Sequence, residues 1–158
     1  MVRVLLIVCL GPLLWPSQAP FPLEDLATCK TSWLDWKDDP ARSDTATESF
    51  REQFQRKEND AFFLPIAKVS VLGLPVVRVF PQSVGMGVGF SVMVDAPFDR
   101  AKAAVEKSLG RRLEECRTGE GTRTCQLPLG DRKTVMLLGD PSGKLKSAVI
   151  GCFYYYEK

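Results

Sequence analysis

Five cysteines and no histidine set the chemistry open to this 158-residue chain. Without an imidazole it cannot assemble the common Ser-His-Asp or Cys-His nucleophile pairs, nor an HExxH zinc site. What remains for an enzyme is a Ser-Lys pair or a pair of carboxylates. Asp38 and Asp39 are adjacent just before Pro40, where a solvated loop is the simpler account. The cysteines contain no C-x-x-C, so neither a zinc knuckle nor a redox dithiol is indicated, and no metal or cofactor is expected.

The cysteines read differently once the amino terminus is considered. Arg3, an apolar stretch from Val4 to Leu14 and a helix-breaking Trp15-Pro16-Ser17-Gln18-Ala19 have the order of a secretory signal, so residues 1–19 are expected to be a signal peptide. The apolar stretch is too short to span a bilayer, and no transmembrane segment is expected in the mature chain. Cleavage removes Cys9 and leaves Cys29, Cys116, Cys125 and Cys152, an even set bound for an oxidising compartment. The turn-rich segment between Cys116 and Cys125 favours pairing those two, which leaves Cys29–Cys152. That second bond closes a loop of more than 100 residues. It should contribute roughly 4 kcal/mol by restricting the unfolded chain.

Two other patterns could carry binding. Gly85-x-Gly87-x-Gly89 lacks the following helix that a phosphate-binding loop needs, so it reads as a strand with one bare face under a close neighbour. Trp33 and Trp36 lie near one end of the expected Cys29–Cys152 bond, and Tyr154, Tyr155 and Tyr156 near the other. Consecutive tyrosines on a strand alternate in direction, so at least one ring faces away from the core. These five aromatics are the candidate binding residues, and core packing is the competing use of the same rings.

The elements that must position these residues follow from periodicity. Leu23, Leu26, Trp33 and Leu34 fit a short helix, and Phe50 and Phe54, one turn apart after the Thr45-x-x-Glu48 capping box, predict a second over 46–57. Strands are predicted at 68–72 and 76–80, with Gly73-Leu74-Pro75 as their turn, and at 84–94. Phe98, Ala101, Val105 and Leu109, closed by Gly110, predict a further helix. Short strands should flank the cysteine loop, with others at 134–138 and, after Asp140-Pro141-Ser142-Gly143, at 145–156. The fold class is therefore α+β: a single domain over residues 20–158, mainly antiparallel sheet, with two or three helices packed on one face. The order also accommodates two α-β-β-β halves.

Charge gives no bulk case for nucleic acid. The formal net charge is +2, although residues 20–60 carry six Lys/Arg against ten Asp/Glu and residues 61–158 fourteen against nine. The expected location is periplasmic or secreted, and the short signal and the lack of Asn-x-Ser/Thr point to a bacterial source. The function expected is non-catalytic binding of another envelope macromolecule. The alternatives are a histidine-free hydrolase or transferase, or a carrier of a small apolar ligand.

Overall fold

The computed structural model describes residues 21–33, 48–58, 60–81, 88–130 and 132–154. The 1–19 segment, the capping box at Thr45 and Gly85 and Gly87 lie outside the described residues. Three helices are described: α1 (Leu23–Ala27), α2 (48–53) and α3 (Phe98–Leu109). The strands are β1 (Phe54–Gln55), β2 (Leu64–Pro65), β3 (Ser70–Val71), β4 (Leu74–Phe80), β5 (Val88–Val94), β6 (Glu115–Gly119), β7 (Thr122–Gly130), β8 (Lys133–Gly139) and β9 (Ala148–Tyr154). β1 and β2 form a small ribbon. The other seven make one antiparallel sheet in the order β3-β4-β5-β9-β8-β7-β6. Three of its strands precede α3 and four follow it, and the two groups meet where β9 pairs with β5.

The helices share one face of this sheet, as expected. Strand side chains alternate in direction, so Phe90, Val92 and Val94 of β5 look the same way as Ile150 and Cys152 of β9 and Val135 and Leu137 of β8. All seven are fully buried. α1 packs against β5 and β9, and α3 against β8 and β9. Phe98, Ala101 and Val105 are the buried stripe of α3, which Gly110 ends at φ 63°. A β-carbon on Gly139 would stand 2.7 Å from the Phe98 ring, so the absence of a side chain at 139 lets the helix sit down on the sheet. Arg123 of β7 stacks 4.7 Å above the same ring and reaches Asp99 at 3.3 Å, tying the helix start to the sheet.

Several boundaries differ from the sequence reading. α1 stops at Ala27: the Thr28 hydroxyl donates to the Glu24 carbonyl, and Cys29 takes φ 61° to aim its sulfur at the sheet. α2 ends at 53 because Phe54 pairs with Pro65 in β1–β2, although its ring still meets Phe50 at 4.8 Å. The β3–β4 turn is Leu72-Gly73, not Gly73-Leu74-Pro75. Both residues have positive φ, 55° and 72°, the backbone that suits a two-residue hairpin. The Glu24 carboxylate of α1 accepts the Leu72 N–H at 2.9 Å and anchors that turn. The segment between Cys116 and Cys125 is a hairpin rather than a loop, turning at Glu120-Gly121 with φ 45° and 76°. The last strand starts at Ala148, because residues 140–145 are taken up by the Asp140 turn.

Candidate binding surface

Both expected disulfides are present, Cys29–Cys152 with Cα atoms 5.0 Å apart and Cys116–Cys125 at 4.0 Å. Both lie on the helix-covered face. Cys116 is directly opposite Cys125 across the β6–β7 pair, and Cys152 sits opposite Phe90 and Val135 in the core. Two disulfides fit an oxidising compartment. Among the described residues no helix is long and apolar enough to cross a membrane.

The first bridge gathers part of the aromatic set. Tyr154 is buried, with 7% of its surface exposed, and its hydroxyl accepts the Trp33 N–H at 2.9 Å. Trp33 is half-buried, its ring 5.3 Å from that of Phe90. The Tyr154 hydroxyl therefore ties the backbone at Trp33 to β9, while the Trp33 ring packs on β5. Trp36, Tyr155 and Tyr156 lie outside the described residues.

The opposite face of the sheet carries no helix among the described residues. Strand register lines up one transverse row on it: Arg78, Met93, Val149, Leu138, Thr124 and Arg117, from β4 through β5, β9, β8 and β7 to β6. Met93, Val149 and Leu138 are half-buried, and the arginines at both ends are exposed. A bulge at Val76/Arg78 brings the exposed Val77 to the same edge. The next row runs Phe80, Ser91, Gly151, Met136 and Gln126. A β-carbon on Gly151 would come within 2.8 Å of the Phe153 ring and 2.6 Å of the Ser91 β-carbon, so that ring lies across the bare glycine.

Beside the first row is a shallow cleft of about 200 Å³. Met93, Leu138 and Val149 contribute apolar lining, and Gly121, Leu145 and Ser147 are among its other walls. Leu145 is 61% exposed. Its position is held from below by Asp140, whose carboxylate accepts the Ser142 N–H at 2.9 Å and the Leu145 N–H at 2.9 Å and takes the Ser142 hydroxyl at 2.7 Å from each oxygen. The Ser142 hydroxyl, helped by the two backbone donors, holds the Asp140 carboxyl down at a pKa of about 2. A carboxylate depressed in the folded state contributes stability that is present above its unfolded pKa and fades as pH falls through the folded value. The Ser142 and Leu145 amide resonances should accordingly titrate with a midpoint near 2. A midpoint near the ordinary aspartate value of about 3.9 would mean the carboxylate does not hold the loop.

Glu106 is the other carboxyl shifted downward among the described residues, chiefly by its hydrogen bond from Lys102, and it also accepts the Leu113 N–H at 2.9 Å. It fastens the chain leaving α3 and lies on a different part of the molecule from the cleft. No group of three or more His, Cys, Asp and Glu side chains suited to a metal ion occurs among the described residues.

The row and the cleft were not among the sequence candidates. Met93, Leu138 and Val149 each look like ordinary strand hydrophobics, and only cross-strand register reveals that they are neighbours. Comparison of the chain with protein-family models, with curated proteins and with solved structures found no match.

Proposed function

We propose that this chain is a non-catalytic binding protein of the periplasm that holds another envelope macromolecule on the face of its sheet opposite the described helices. The observation that carries this reading is the row Arg78, Met93, Val149, Leu138, Thr124 and Arg117, half-buried and apolar in the middle and cationic at its ends. An apolar centre inside a polar rim is the anatomy of a protein contact. A carrier of a small apolar molecule is less well supported, because such ligands occupy enclosed pockets of about 300 Å³ or more, larger than this open cleft. The periplasmic location rests on the signal-like leader together with the two disulfides.

The test is affinity capture from an envelope extract with three baits: the mature domain, its Leu138→Glu variant and its Val149→Glu variant. A partner retained by the first and lost from both variants, with thermal melts within a few degrees of one another, is the expected outcome. Equal capture by all three baits would remove the sheet face from consideration.

A further inference from the structure

We infer that the cleft receives one bulky apolar side chain from an acidic segment of the partner protein. This rests on the reading of the face opposite the described helices as a binding surface and adds to it the chemistry of the occupant. The size argument comes first. A space of about 200 Å³ with an apolar floor of Met93, Leu138 and Val149 matches one large side chain rather than a whole small-molecule ligand. The floor is recessed and half-buried, so it accepts an anchor. Leu145, exposed on the rim and fixed by the Asp140 hydrogen bonds, adds apolar contact at little entropic cost, because its backbone is already ordered.

Charge selects the kind of segment. Lys144 and Lys146 flank Leu145 in the chain and are exposed, and Arg117 closes the outer end of the adjoining row. None of the three has a carboxylate partner among the described residues. Two carboxylates border the cleft. Both oxygens of Asp140 are already engaged, and Glu120 stands at the hairpin turn next to Gly121. Three cations against these two carboxylates leave the surroundings of the apolar floor net positive, and acidic residues beside an apolar anchor complement them. A membrane surface is the poorer fit: among the described residues lining the cleft only Leu145 is a largely exposed apolar side chain, whereas insertion into lipid calls for a broad protruding apolar face.

The probes are three dye-labelled pentapeptides, Glu-Asp-Phe-Glu-Asp, Glu-Asp-Ala-Glu-Asp and Lys-Lys-Phe-Lys-Lys, titrated with the mature protein by fluorescence anisotropy. The acidic phenylalanine peptide should bind saturably, and the other two should not. Its affinity should fall about tenfold in the Lys144→Glu/Lys146→Glu variant and weaken with added salt. Leu145→Ala, a change at an exposed side chain, should also weaken it. Absence of saturable binding, equal binding of the basic peptide, or binding unchanged by the charge reversals overturns the inference. So does co-sedimentation with phosphatidylglycerol vesicles that is lost in the same variants while peptide binding is absent. If capture by the sheet face persists while the peptide results fail, the occupant is wrong and the binding surface stands. If capture is also independent of that face, both fall.

Discussion

Replacing Cys29 and Cys152 together by alanine should lower unfolding stability by about 4–5 kcal/mol, against less than about 3 kcal/mol for the Cys116/Cys125 pair. The difference comes from loop length. The first bond joins residues 123 apart in sequence and the second residues only 9 apart. Closing a longer loop removes more conformations from the unfolded chain. Native context widens the gap. The β6–β7 hairpin, with its two-residue turn, already places Cys116 opposite Cys125. Nothing local brings Cys29 to Cys152, which sits fully buried in the strand where the two parts of the sheet join. Urea denaturation of the two double-alanine variants under non-oxidising conditions measures both losses. For a domain of this size, the larger should appear as a drop in melting temperature on the order of 10–20 °C. Equal losses would show that loop closure is not what the long-range bond supplies.

A single added methyl group at Gly89 should cost about 3 kcal/mol, which is large for a change of one carbon. Gly89 is paired with Phe153 in β9. A β-carbon at 89 would overlap the Cys152 carbonyl oxygen and stand 3.0 Å from both the Cys152 carbonyl carbon and the Phe153 α-carbon. Those obstacles are backbone atoms of a central strand, so no rotamer change can clear them. The strands must separate, and hydrogen bonds between β5 and β9 lengthen as they do. Gly119→Ala is the control, because a β-carbon there meets nothing within 4 Å. Its unfolding free energy from urea denaturation should stay within about 0.5 kcal/mol of wild type. If Gly89→Ala unfolds at the wild-type midpoint, the close approach of the two strands at this position is refuted.

The glycine result bears on how far the sequence could be read. Bare positions alternating with Val88, Phe90, Val92 and Val94 announced a close neighbour on one side of this strand, and Gly89 has one. The nature of that neighbour was not legible, because it is the backbone of a strand more than 60 positions away in the chain. α3 was readable almost to the residue. Its stripe of Phe98, Ala101 and Val105 and its terminal Gly110 are set by contacts within three or four positions. The 46–57 helix was overextended for a related reason. Phe50 and Phe54 do meet, but the pairing of Phe54 with Pro65 is a non-local competitor that helical spacing cannot reveal.

By itself the sequence determined which chemistries were closed, how the four later cysteines pair, and that an antiparallel sheet carries its helices on one face. These follow from residue type, from local periodicity and from the parity of cysteines after a signal-like leader. The tertiary structure alone decided where a binding surface can be. Met93, Val149 and Leu138 become one apolar strip only through the registers of β5 with β9 and of β9 with β8. A slip of one residue in either would turn its members towards opposite faces. Likewise Asp140 is a turn aspartate in the sequence and becomes the support of Leu145 only when residues 140–145 fold back on its carboxylate. Register is a sum of many weak cross-strand contacts distributed over the whole chain, so no segment of sequence read alone contains it.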